Sequence, residues 1–445
     1  MGAGLFTGLF VPEDVADATS ERAWVQAMLD VEAALARAQA KAGLVPDAAA
    51  EAITAACDAR RFDPGLLARE ARDTGFPVAP LVRALSDALG EDDAARFVHW
   101  GATSQDVMDT ASMLVAQRAL VLIDRELQGA AGACARLARE YRSTPMAGRT
   151  LLQQALPTTF GLKAAVWLSG VAEARERLAA VPLRAELGGA AGTLASLGVD
   201  GVRVLGLFSE EVGLEEPPLP WHTTRVRVAE LGAALAGAAG ALEKIAVDLC
   251  LLAQTEVAEV AEPSEGGRGG SSTLPHKHNP VGAVLTAACA RRARGAAATL
   301  LGTMVHEHER AIGDAQAEWP LLSEALALTG GAASSLREVL DGLEVRPQRM
   351  AENLAITNGL LMAESVMMAM AGDLGRLRAK DVVGAACRRA VESGRGLREE
   401  LLEDDIALDA LGREGIDEAL DPARYIGSAE AFVDRALARS TEEGS

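Results

Sequence analysis

An all-α fold follows from three observations. Hydrophobic residues make up 49% of the 445-residue chain and aromatic residues 3%, so the interior must be built from alanine and aliphatic side chains. Such an interior suits closely packed helices, whereas a β-sandwich draws on Val, Ile, Tyr and Phe. Apolar residues recur at three- and four-residue spacing over long stretches. Several of these stretches, 106–142, 160–180 and 224–260 among them, contain no proline.

Residues 1–102 read as a small domain of helices of moderate length. The run from Glu21 to Lys41 has the helical period and stops at Gly43 and Pro46. Shorter helices follow, broken around Gly75-Phe76-Pro77. Residues 103–345 read as a bundle of long helices, covering 106–142, 160–180, 224–260 and the stretch from Pro280 toward Met304. Gly188-Gly-Ala-Ala-Gly and Gly266-Gly-Arg-Gly-Gly are loops between such runs. Residues 346–445 return to shorter helices. Asp421-Pro-Ala-Arg-Tyr-Ile-Gly-Ser is a turn before a last helix over 429–438, and the tail 441–445 is expected to fray. Alanine, glycine and leucine lie on more faces of the long helices than one chain can bury, which predicts a homo-oligomer.

The formal charge is −20, a poor match for nucleic acid or an anionic membrane. No basic segment with an apolar stretch opens the chain, and no apolar run of about 20 residues is present. Five scattered cysteines without a Cys-x-x-Cys pair give no zinc or disulfide framework and suit a reducing cytoplasm.

Polar chemistry concentrates in residues 264–280. Ser264-Glu-Gly-Gly-Arg-Gly-Gly-Ser-Ser holds four glycines and cannot be a stable helix. It leads into Thr-Leu-Pro-His-Lys-His-Asn-Pro, which carries one of the chain's five lysines and two of its six histidines. A hydroxyl on a glycine-rich loop beside an ammonium and an amide suits anion binding with gated proton transfer. His306-Glu-His is not a metal pair, because residues two apart on a helix face different ways. Gly188-Gly-Ala-Ala-Gly lacks the Lys-Ser/Thr of a nucleotide loop.

Ser271-Ser-Thr-Leu-Pro-His-Lys-His-Asn-Pro resembles the signature loop of the fumarase/aspartase superfamily, Ser-Ser-x-Met-Pro-x-Lys-x-Asn, with Leu274 in place of methionine. The resemblance implies a three-domain, oligomeric all-α fold with a long central bundle. It makes Ser271 the catalytic base, and it makes Lys277 and Asn279 the groups that hold a substrate carboxylate. His99-Trp-Gly-Ala-Thr-Ser-Gln-Asp resembles a second block of the family, with Thr103 and Ser104 as carboxylate-binding hydroxyls and His99 beside them. A Thr-Ser opening a long helix also leaves backbone N–H groups that attract carboxylates.

Gly148-Arg-Thr-Leu-Leu-Gln-Gln-Ala-Leu-Pro-Thr-Thr resembles a third block, where many members carry a histidine that protonates the leaving group. Leu151, Leu152, Gln153 and Gln154 stand there instead, and none is an acid; Thr150, Gln153 and Gln154 remain as hydrogen-bonding groups. Trp221-His-Thr-Thr-Arg and the stretch from His306 to Trp319 are similar to the 3-carboxy-cis,cis-muconate cycloisomerase branch, which puts His222 and Arg310 at the site.

The chemistry fits that branch. A carboxylate leaves unaided, because its conjugate acid is already strong, so lactone chemistry tolerates the missing histidine. An adenylosuccinate lyase-like activity is disfavoured because Asp73-Thr-Gly-Phe-Pro-Val has no histidine. A lyase acting on another substituted succinate with a good leaving group, such as nitrite, shares the same site. A catalytically inactive helical scaffold is the alternative from another class. The resemblance implies a small-molecule polycarboxylate substrate, no metal or organic cofactor, and a homotetramer with shared active sites.

Overall fold

The computed structural model describes residues 5–264 and 267–442; Glu265 and Gly266 of the glycine stretch, and the tail from Glu443, lie outside the described residues. The chain is all-α, with long helices over Ser104–Glu140, Phe160–Ala179, Val226–Leu252, Val281–Gly302 and Asp314–Asp341. It packs as two compact units. One comprises residues up to Gln128 with Glu173–Lys244 and Leu285–Leu336; the other comprises Gly129–Ala172, Ile245–Val284 and the chain from Arg337.

In the first unit the helix Glu21–Lys41 has the expected bounds. Ser20 caps it by accepting the Ala23 N–H, and one face buries Val25, Met28, Leu29 and Leu35. At the other end of the helix, Arg37 and Lys41 meet Glu211 at 2.6 and 2.5 Å. Small side chains let the next helices approach: Ala36, Ala49, Ala50 and Ala94 surround Val45 and Ile53 in one buried cluster. The helix Pro64–Thr74 ends on Gly75 at φ 73°, where the sequence placed its break.

In the second unit the core gathers Val366, Met370, Val383, Leu397, Leu401 and Ile416. Leu397 is fully buried, and cutting such a leucine to alanine costs about 2–5 kcal/mol. The helix expected over 224–260 stops at Leu252. The chain turns through Ala258 at φ 52° and forms a short bridge in which Val260–Ala261 pairs with Glu344–Val345.

An antiparallel hairpin also stands where the sequence showed no strand. Pro145–Thr150 pairs with Gln153–Thr159, with an irregularity between Ala147 and Arg149. Gly148 sits at that irregularity, and a Cβ there would lie 2.7 Å from the Leu156 carbonyl oxygen. The turn is Leu151-Leu152, at φ 51° and 64°. This is the backbone sense that two-residue hairpins favour, but Asn-Gly normally supplies it. For leucine the left-handed region costs about 1–2 kcal/mol per residue, and both side chains are exposed, at 96% and 72%.

Val121, Val166, Val284 and Leu301 on the long helices are exposed as well. Among the described residues no single helix is long and apolar enough to cross a membrane. All five cysteines are free, and burial pushes the Cys134 thiol up to about 12.

Candidate active site

In the first unit the candidate residues lie around the start of the helix Ser104–Glu140. Asp106, in its first turn, reaches back to the Thr103 N–H at 2.8 Å, as in a capping box. The same carboxylate accepts the N–H groups of Gly188 and Gly189 at 2.8 and 3.0 Å and faces His222 Nε2 at 2.7 Å. Four donors therefore converge on one buried carboxylate and fix the glycine loop against the helix start. Gly188 must be glycine here, since a Cβ would lie 2.8 Å from His222 Cε1.

Gln105 carries the network outward. Its Nε2 donates to the His222 carbonyl at 2.7 Å and to Asp109 at 3.0 Å, and its Oε1 accepts from Arg310 at 3.0 Å. Arg310 also donates to the Ala190 carbonyl at 2.9 Å. Thr103, Ser104, His222 and Arg310 thus belong to one framework. His222 is buried in it, while the half-buried hydroxyls of Thr103 and Ser104 have no protein partner among the described residues.

His99 stands apart, with φ 60° and Nδ1 2.6 Å from the buried Glu32 carboxylate. Burial disfavours the charged imidazole, but Glu32 outweighs it and raises His99 above its ordinary value.

Behind the network lie groups to which the sequence reading gave no place in the site. Arg225, 1% exposed, donates to both oxygens of Asp109 at 2.8 and 2.9 Å and to Glu318. His306 Nε2 lies 3.4 Å from Glu318, without hydrogen-bond geometry. Glu186 accepts the Trp221 N–H at 2.5 Å. Burial, with Asp109 and Asp106 nearby, pushes its carboxyl up to about 9, so it is neutral at pH 7. Asp106, Glu186 and His222 bring one potential ligand atom each within 4.8 Å of one another. The donors already converging on Asp106, and the neutral Glu186, make this trio a hydrogen-bond hub in character. These residues are far apart in sequence: the block resemblance pointed to His222 and the Thr-Ser-x-Asp spacing hinted at Asp106, but nothing marked Glu186.

The second unit holds the remaining candidates. Ser271 Oγ accepts the N–H groups of Thr273 and Leu274 at 3.3 and 3.1 Å. Amide donors aimed at a hydroxyl oxygen favour its ionised form. Lys277 is exposed, and its ammonium has no protein partner among the described residues. Asn279 closes the base of the loop: its N–H and its Nδ2 both donate to the Gly269 carbonyl, at 2.8 and 3.1 Å.

On the hairpin, Thr150 and Gln153 form the pair that closes the turn, and both are exposed. Gln154 is half-buried, with Nε2 donating to the Asn353 carbonyl at 2.9 Å. Each unit thus presents uncommitted polar groups on a hydrogen-bonded support: hydroxyls at a helix start in one, and a hydroxyl with an ammonium on a loop in the other.

The chain belongs to the fumarase/aspartase superfamily of lyases. The family profile described as "Lyase" matches residues 12–295, and that described as "Adenylosuccinate lyase C-terminus" matches residues 359–436. Among its relatives is the 3-carboxy-cis,cis-muconate cycloisomerase of Pseudomonas aeruginosa, 45% identical over 98% of this chain and 96% of the relative. The nitrosuccinate lyase of Streptomyces davaonensis is 46% identical over 98% of this chain and 94% of that one. The crystal structure of the 3-carboxy-cis,cis-muconate lactonizing enzyme from Pseudomonas putida superposes with a TM-score of 0.94 at 41% identity, covering 99% of this chain and 100% of the other.

Proposed function

We propose that this chain is a cofactor-independent cycloisomerase that converts 3-carboxy-cis,cis-muconate to 4-carboxymuconolactone in protocatechuate catabolism. In the lactonising direction one substrate carboxylate adds to the conjugated double bond. The electron pair moves onto the neighbouring carboxylate, giving an aci-carboxylate, and the Ser271 hydroxyl protonates its carbon. The serine is left as an alkoxide, facing the Thr273 and Leu274 N–H groups. Lys277, Asn279, Thr103 and Ser104 hold the substrate's carboxylates, with His99, Thr150, Gln153, Gln154, His222 and Arg310 lining or supporting the site.

The observation that carries this reading is Ser271 Oγ facing two amide donors on an exposed loop beside an uncommitted lysine. The named cycloisomerases at 40–45% identity support the choice of substrate. The assay is the decay of 3-carboxymuconate absorbance. Ser271→Ala is expected to lose about a thousandfold in kcat, the scale of an essential acid–base group. Turnover near that of the wild type would remove Ser271 from its role.

A second reading has its own support. The nitrosuccinate lyase is as similar as the cycloisomerases, and nitrite, like a carboxylate, leaves without a protonating acid. Release of nitrite and fumarate from nitrosuccinate, with no lactone formed from carboxymuconate, selects it. Turnover of neither substrate would favour an inactive scaffold. The proposed assembly is a homotetramer with several chains contributing to each site. The exposed Val121, Val166, Val284 and Leu301 on long helices support it, and light scattering tests it.

A further inference from the structure

The Leu151-Leu152 turn is strained and fully displayed, so something must hold it. Strained backbone persists only where its surroundings over-determine it. Behind the turn-closing pair Thr150–Gln153 stands Arg149 with Gln154, directly across the hairpin, and both members are gripped by the same support. Arg149 donates two parallel hydrogen bonds to Glu259, at 2.9 and 2.7 Å. Asn353 Nδ2 donates to the same carboxylate at 2.8 Å and to the Val257 carbonyl at 2.8 Å. The Asn353 carbonyl accepts from Gln154 at 2.9 Å.

Glu259 is wholly buried, and its backbone is pinned on both sides: its N–H donates to the Leu252 carbonyl, and its carbonyl accepts the Arg346 N–H, each at 2.9 Å. Two strands of the hairpin are thus tied to one carboxylate–amide anchor, one register step behind the pair that closes the turn.

We infer that Glu259 and Asn353 are positioning residues, which clamp the hairpin through Arg149 and Gln154 so that Thr150 and Gln153 are presented in a fixed orientation to the substrate. Neither touches substrate; they act through the hairpin. The two parallel charge-assisted bonds set the angle of Arg149, which a single contact would leave free to swivel. The inference rests on the proposed function for what the hairpin contacts, and on the geometry alone for the clamp.

The test is Glu259→Gln, which keeps the shape and removes the charge, read by amide hydrogen exchange and by kinetics. Exchange at residues 150–154 is expected to rise about tenfold or more through local opening, with the helix Phe160–Ala179 unchanged. kcat is expected to fall by up to about a hundredfold, the scale of a small misplacement of a positioned group. Unaltered exchange at the turn overturns the clamp, and faster exchange with unaltered kcat overturns its role in turnover. If the variant does not fold, Asn353→Ala, which keeps the Arg149–Glu259 pair and the backbone carbonyl that holds Gln154 but removes the amide tie to Glu259 and Val257, carries the same two readouts with a smaller rise in exchange expected. If the wild type turns over neither carboxymuconate nor nitrosuccinate, the functional reading fails by itself and the exchange result alone decides the clamp.

Discussion

Replacing Arg225 with methionine isolates the energetics of the buried network. The side chains of Arg225, Asp109 and Glu318 are 1%, 1% and 4% exposed. Methionine retains much of the volume but leaves two carboxylates without their shared cation. Asp109 keeps the Gln105 amide at 3.0 Å, and Glu318 keeps the Thr303 hydroxyl at 3.5 Å with His306 3.4 Å away. Removing one partner of a buried ion pair costs about 3–5 kcal/mol. The total stays in that range, because one stranded carboxylate can take up a proton.

The deficit, read from urea unfolding, must grow with pH. With Arg225 gone, the folded state favours the protonated carboxyls, so it binds more protons than the unfolded chain and loses stability as pH rises. Converting the trio together (Arg225→Met, Asp109→Leu, Glu318→Met) should restore most of the loss, since an apolar replacement of a whole buried ion cluster is often neutral or better. By contrast Arg142→Met, which breaks a half-exposed pairing with Glu430 and Asp434, should cost under about 1 kcal/mol. A loss below about 1 kcal/mol for Arg225→Met, or no recovery in the triple variant, would refute the reasoning.

Three other perturbations have definite signs. Glu186→Gln mimics the neutral form that burial imposes, so it should be more stable than the wild type at pH 8, with the gap opening as pH rises from about 4.5 toward 9; an unchanging gap across that range contradicts a neutral Glu186. His99→Gln should flatten the pH dependence above 6.5, because the raised imidazole contributes stability that is present at lower pH and lost as pH climbs through its folded value. Leu151→Asn should stabilise by about 1 kcal/mol in thermal or urea unfolding, since asparagine tolerates the left-handed region where leucine is strained.

Helices were legible wherever a local signal ended them. Gly43 and Pro46 closed the helix Glu21–Lys41, and Gly75 closed Pro64–Thr74. The stop at Leu252 was not legible. It is set by tertiary demand, with Glu259 turned inward to meet Arg149, and no glycine or proline marks it. The hairpin was hidden for a related reason: Leu-Leu is a poor turn sequence, and the conformation is held by Glu259 and Asn353, more than a hundred residues away from one or other strand. The signature loop and the Thr103-Ser104 pair could be read because their residues are contiguous. Asp109, Glu186 and Arg225 could not, since their partnership exists only once separate helices meet.

The exposed signature loop carries its ammonium on a molecule whose formal charge is −20. A polyanionic reactant must therefore climb a repulsive field until it comes within about 10 Å of the surface. Enzymes that steer their substrates slow down as electrolyte is added. Here kcat/KM should instead rise with moderate sodium chloride, as screening lowers the long-range barrier before it weakens the short-range grip of Lys277.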